Sequence, residues 1–312
     1  MSYPIYHLRP NKAIDRLALV EAIRRLDKHD NLSEYTYYGF GGPFLEDFRL
    51  LYELYPNMEM VSIERNEETY RRQGFHLPCS KIRLENIQLG SFLANYEARD
   101  KKSIFWLDFT GLEYSGFEDF MTLLGKVAAG SMVKITLRSE PKDYIDKTDL
   151  FRRKFEAVLP DSSVVPPPGF RNYAFLLQQM TRVAAQTALP SAFPHTFQPV
   201  SSFCYSDGTG IFTLTGIVCQ RGEENSIKKE FQRWQFANLN WSMPKRIDVP
   251  VLTTKERLHL QSYLPCEGNA GRVLREELGY LIDDGDKKTT ESKLKQYAEF
   301  HRYAPYFMRA IP

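Results

Sequence analysis

Four short stretches hold residue types that could do chemistry together. Gly39-Phe40-Gly41-Gly42 follows a run of β-formers, Tyr35 to Tyr38, and precedes a helical pattern with Phe44, Phe48, Leu51 and Leu54 on one face. Glycines at the carboxyl end of a strand permit a tight turn and let a ligand lie close to the backbone. The following helix aims its unbonded N–H groups into the same crevice. Glu64 closes the next apolar run, Met58 to Ile63, 25 residues past Gly39. A carboxylate about 20 residues beyond such a loop can accept hydrogen bonds from a ribose diol. Glu85-Asn86 follows a weaker run and could hydrogen-bond an adenine, and Asp108 closes the strongly apolar Ser103 to Leu107. Each of these alone reads equally as a tight turn, a cap or a solvated charge. Acids at successive strand ends share the edge where open α/β sheets bind ligands.

The elements needed to position these residues can be read from periodicity. Helical spacing runs from a cap at Asn11 through Ile14, Leu17, Ile23 and Leu26. Helix and strand then alternate through the runs near 35–38, 58–63, 81–84, 103–107 and 132–137. Such alternation predicts an α/β fold with a Rossmann-like, largely parallel sheet and helices on both faces. Helices are expected over 117–127, 148–160 and 173–187. Two β-rich runs, Val200 to Tyr205 and Ile211 to Cys219, flank Asp207-Gly208, a strong hairpin signal that predicts a terminal antiparallel pair. The rest carries helical patterns near 254–263, 269–282 and 290–303, with Thr253 and Glu256 spaced as a capping box. The expected organisation is an N-terminal helix within 1–30, a nucleoside-binding domain over 31–222 and a small helical C-terminal region over 223–312.

The chain has 312 residues, with 43% apolar and 26% charged, and a net charge of +2 from 41 basic against 39 acidic side chains. Those values exclude wholesale disorder and long coiled coil and do not announce a nucleic-acid binder. No stretch approaches ~20 apolar residues, so no membrane span is expected. Residues 1–10 show no leader pattern. Cys79, Cys204, Cys219 and Cys266 lie far apart without CxxC spacing, which argues against a zinc site or disulfide framework and for a reducing cytoplasm. No His and acid cluster suggests a metal.

Charge narrows the ligand. A dinucleotide fingerprint needs a third glycine at position 44, where Phe44 stands, and Glu46 and Asp47 fall in the first turn of the next helix, where they would repel a pyrophosphate. S-adenosylmethionine (SAM) carries no phosphate and its sulfonium is positive, so the acids are tolerable or helpful. No P-loop pattern occurs.

The order Gly39-Phe40-Gly41-Gly42, Glu64, Glu85-Asn86, Asp108 and a final hairpin, across about residues 30–220, resembles class I SAM-dependent methyltransferases. That resemblance implies that the glycine loop holds the methionine part, Glu64 the ribose, and Glu85-Asn86 the adenine, while the end of the fourth strand lines the transfer site. More narrowly, Leu8-Arg9-Pro10-Asn11-Lys12-Ala13-Ile14-Asp15-Arg16, the Tyr-Gly-Phe-Gly-Gly loop and Trp106-Leu107-Asp108-Phe109 are similar to uncharacterised bacterial O-methyltransferases. Two features depart from the pattern: Tyr37 replaces the usual acid before the glycines, and the third glycine is absent. Asp108-Phe-Thr-Gly111 is not the Asn/Asp-Pro-Pro-Tyr of enzymes that methylate base amino groups, and no cysteine closes a core strand for a covalent C5 mechanism.

Asp108 is the candidate base or acceptor-orienting group. Arg9, Lys12 and Arg16 share one side of the first helix and could hold an anionic acceptor, a small molecule first and nucleic acid second. Arg152-Arg153-Lys154, Lys228-Lys229 and Lys245-Arg246 could line a nucleic-acid path, though scattered charges read more simply as surface. Trp234 and Trp241 could stack a base but are expected to pack between two domains. The competing class is a non-catalytic, methyltransferase-like module that binds nucleic acid or a protein. Oligomerisation is compatible with either reading.

Overall fold

The computed structural model describes residues 9–26, 31–98, 101–161, 166–282 and 286–304. Leu8 lies outside them. The described strands are β1 (Thr36–Gly39), β2 (Glu59–Ile63), β3 (Ile82–Glu85), β4 (Ser103–Asp108), β5 (Met132–Arg138), β6 (His195–Ser206), β7 (Gly210–Gln220) and β8 (Lys245–Ile247). They form one sheet in the order β3-β2-β1-β4-β5-β7-β6-β8. Pairing is parallel from β3 through β5 and antiparallel between β5 and β7. The α/β class, the parallel core and the terminal hairpin are therefore as expected. The order reverses direction at β1 and β4, which is where a crevice opens at the carboxyl edge of such sheets.

The helices are α1 (Pro10–Leu26), α2 (Glu46–Leu54), α3 (Glu67–His76), α4 (Leu89–Asn95), α5 (Tyr114–Leu124), α6 (Thr148–Phe155), α7 (Phe170–Ala188), α8 (Glu224–Phe231), α9 (Thr254–Gln261), α10 (Ala270–Leu278) and α11 (Lys287–Phe300). None of them is long and apolar enough to cross a membrane. The chain divides into two compact units, residues 20–204 with 209–245, and residues 1–19 with 205–208 and 246–312.

In the larger unit, strand alternation sorts the sheet's side chains into two sets. Phe105, Leu107, Val133, Ile135 and Leu137 turn to one face and join α4, α5, α6 and α7 in a single apolar cluster. Ile104, Trp106 and Asp108 turn to the other, the face of Tyr37, against which Phe48 of α2 packs edge-on at 5.0 Å. That face is more polar. Trp106 Nε1 donates to Thr136 Oγ1 at 2.9 Å, and the buried Lys134 ammonium stands 4.4 Å over the Trp106 ring.

The smaller unit has its own core of Leu260, Leu274, Leu294 and Tyr297, and the Thr253–Glu256 capping box forms at the start of α9. Asn11 is not a cap: α1 begins at Pro10, and the Asn11 carboxamide donates to Asp207 Oδ1 at 2.8 Å and accepts from the Val249 N–H at 3.1 Å. Two helices escaped the periodicity reading for lack of signal. α4 is short, with glycine at its second position, a poor helix former, and half of the residues of α8 are charged.

Candidate active site at the carboxyl edge of the sheet

Gly39 ends β1 in register with Ser62 of β2 and Trp106 of β4. The chain then turns through Gly41 at φ 67° and Gly42 at φ 54°, with the Gly42 N–H donating to the Phe40 carbonyl at 2.8 Å. The two glycines face different surroundings. A Cβ on Gly41 would stand 2.5 Å from Leu45 Cδ2 and 3.0 Å from Phe48, whereas one on Gly42 would meet nothing within 4 Å. The helix does not follow the glycines directly, as the sequence suggested. A 3-10 turn, Gly42–Phe44, and Leu45 at φ 53° intervene before α2.

The loop is gripped from α3. Gln73, fully buried, donates through Nε2 to the carbonyls of Phe40 at 2.8 Å and Gly42 at 2.9 Å, and its Oε1 accepts from Ser62 Oγ at 3.0 Å. Arg49 of α2 adds a second tie, donating to the carbonyls of Phe44 at 3.3 Å and of His76. None of Ser62, Gln73 or Arg49 was a candidate from sequence. The one available signal was faint: on an otherwise charged α3, Thr69 and Gln73 stand one turn apart on the side that becomes buried.

The charges in the first turn of α2 are not what their spacing implied. Asp47 is buried and accepts a hydrogen bond from the Tyr37 hydroxyl. Tyr37, standing where the family pattern has an acid, thus recruits a carboxylate from α2 to the underside of the turn. Only Glu46 of the pair stays half-exposed.

Glu64, Glu85 and Asn86 are brought together. The Glu64 N–H donates to the Glu85 carbonyl at 2.9 Å, and the Glu64 carbonyl accepts from Ile87 N–H at 3.1 Å and Asn86 Nδ2 at 2.9 Å. The Glu64 side chain is half-buried, with Oε1 accepting from the Asn66 N–H at 2.7 Å. Burial pushes its carboxyl above the usual range, and the Asn66 and Arg65 backbone bonds and the Arg65 charge pull back against it. The Glu85 carboxylate turns to Arg83 Nε at 2.9 Å. Asp108 lies on the same face as Gly39, two residues past its register partner Trp106, and so stands about 7 Å further along the strand direction. Phe40 and Phe109, the residues after Gly39 and Asp108, meet edge-on at 5.7 Å. That aromatic pair closes the gap between β1 and β4.

Arg9, Lys12 and Arg16 belong to the smaller unit. They do not form a solvated basic face. Lys12 is buried and its N–H donates to Asp207 Oδ2 at 2.9 Å, while Arg16 Nε is buried without a hydrogen-bond partner. Trp234 and Trp241 pack within the larger unit. Trp234 is buried against Phe231, Phe236 and the Arg25 guanidinium, and Trp241 lies against Phe197.

Residues 4–312 match the protein family described as "Putative O-methyltransferase". The chain belongs to that family. The match bears out the methyltransferase resemblance read from the glycine loop and the strand-end acids, and SAM is the methyl donor it implies. No curated protein matches the chain. Solved structures similar to it include Trm1 from Pyrococcus horikoshii in complex with S-adenosyl-L-methionine, 13% identical over 68% of this chain and 56% of that one with a TM-score of 0.46. A probable spermidine synthase from Corynebacterium glutamicum is 14% identical over 78% and 82%, with a TM-score of 0.43. A protein from Pyrococcus horikoshii described as a "putative transferase" is 11% identical over 65% of this chain and has a TM-score of 0.37; the chain spans 63% of its length.

Proposed function

We propose that this protein transfers the methyl group of SAM to an acceptor at the carboxyl edge of β1, β2 and β4. One observation carries the reading. Glu64, half-buried with its backbone carbonyl tied to Asn86, stands at the strand end next to a glycine loop whose Gly42 opens onto free space. A cationic, phosphate-free nucleoside suits that donor set. Glu64 would hold the ribose diol, Asn86 with Glu85 would face the adenine, and Gly39, Phe40, Gly41 and Gly42 would line the methionine end. SAM, when bound, supplies a methyl carbon already activated by its sulfonium. What the chain must add is alignment of the acceptor and, where the acceptor carries a proton, a base. We assign Asp108, at the end of β4, to that role. The family description favours an oxygen acceptor, a small molecule is the first choice, and the cytoplasm suits the cysteine pattern.

Calorimetry with S-adenosylhomocysteine tests the cofactor half of the proposal, and folded protein that binds none at millimolar concentration removes it. Transfer of labelled methyl from SAM into a cell extract tests the rest. Asp108→Asn is expected to keep ligand affinity and to lower transfer by about 10²- to 10⁴-fold, the usual contribution of a positioned base. Unchanged transfer would take Asp108 out of the chemistry.

A further inference from the structure

We infer that Gln73 is a positioning residue for the cofactor crevice: its buried carboxamide sets the peptide planes of the glycine loop so that the Gly41 N–H faces the ligand as a donor to a carboxylate. The inference rests on the SAM reading above and deepens it by naming the part of the ligand concerned.

Gln73 is fully buried on a helix whose neighbouring Glu67, Glu68, Arg71 and Gly74 are all exposed. An apolar side chain would fill that space without needing any partner. The carboxamide instead uses both faces of its chemistry, Nε2 on two loop carbonyls and Oε1 on Ser62. A trans peptide carries its C=O and N–H in opposite directions. With the Phe40 carbonyl drawn to α3, the N–H of the same peptide plane, that of Gly41, must point away from α3. The Gly42 carbonyl is held the same way, but its peptide plane ends in Pro43, which has no N–H. The Gly42 N–H is consumed by the Phe40 carbonyl. Of the donors in the turn, Gly41 is therefore the one whose direction Gln73 decides. A backbone N–H fixed in a glycine turn suits an anion, and the anionic part of SAM is its amino-acid carboxylate.

The test compares two ligands that differ in that part. S-Adenosylhomocysteine carries the carboxylate, and 5′-methylthioadenosine lacks the amino-acid end. Gln73→Met keeps length and burial and donates nothing. We expect it to bind S-adenosylhomocysteine about ten- to a hundredfold more weakly, the equivalent of one hydrogen bond to a charged group. Affinity for 5′-methylthioadenosine should hardly move. Ser62→Ala, which frees the far end of the carboxamide and removes a 3.3 Å hydroxyl contact to the Phe40 carbonyl, should show the same selectivity to a smaller degree. It also carries the test if Gln73→Met fails to fold. Compared with wild type at the same pH, Gln73→Glu should behave like Gln73→Met near neutral pH and close the gap to wild type as the pH falls, since a protonated carboxyl can again donate to one loop carbonyl. Equal weakening of both ligands, or wild-type affinity for S-adenosylhomocysteine in folded Gln73→Met, overturns the inference. Wild-type protein that binds neither ligand overturns the SAM reading instead.

Discussion

Replacing Gly41 and Gly42 one at a time by alanine separates the packing role of the loop from its ligand-facing role. Both residues have positive φ, so each alanine pays about 1–2 kcal/mol for a left-handed backbone. At Gly41 the new methyl also meets Leu45 Cδ2 at 2.5 Å and Phe48 at 3.0 Å, both buried, and such overpacking adds about 1–3 kcal/mol. At Gly42 the methyl meets no protein atom within 4 Å. With about 2–4 °C of melting temperature per kcal/mol for a unit of this size, Gly41→Ala should melt about 4–20 °C below wild type and Gly42→Ala about 2–8 °C below. Binding should rank the other way for its size. Gly42→Ala places a methyl where the proposed ligand would lie and should cost about five- to a hundredfold in affinity for S-adenosylhomocysteine, from a clash of about 1–3 kcal/mol. Differential scanning fluorimetry and calorimetry read the two quantities on the same samples. Equal melting losses for the two variants would refute the packing argument, and undiminished ligand affinity in Gly42→Ala would refute the placement of the ligand.

Two further outcomes are expected. Glu64 titrates above the ordinary carboxylate range because it is half-buried, so its ionisation costs stability as pH rises through the window between its unfolded and folded values. Glu64→Gln should therefore gain melting temperature relative to wild type more at pH 7.5 than at pH 4. Nucleoside affinity should run the opposite way, present when Glu64 is ionised and lost as pH falls through its raised value, with Glu64→Gln flat; a wild-type affinity independent of pH would count against Glu64 as the diol acceptor. Thr136→Val leaves the buried Trp106 Nε1 without its 2.9 Å partner and should cost about 1–3 kcal/mol, read by urea denaturation, whereas a loss below about 0.3 kcal/mol would mean that the indole N–H finds another acceptor.

Much of the frame could be read along the chain. Continuous apolar runs such as Ser103 to Leu107 mark strands buried on both faces, and the run-to-helix alternation marks parallel pairing, because both signals are local and repeat over several residues. Asp207-Gly208 marked the hairpin for the same reason, a turn requirement met by adjacent residues. The candidate site was legible only where it follows the strand ends, at Gly39–Gly42, Glu64, Glu85-Asn86 and Asp108.

Local pattern thus determined the class of fold, its strand ends and the residue types presented there. Only the tertiary structure decided how those residues are held. Ser62 and Gln73 are 11 residues apart and on different elements, and Tyr37 and Asp47 meet only because α2 folds back over β1. Asn11 exchanged a helix cap for partners at Asp207 and Val249. A buried polar group must find a hydrogen bond wherever the fold offers one, and which partner it finds depends on distances in space that no spacing along the chain encodes.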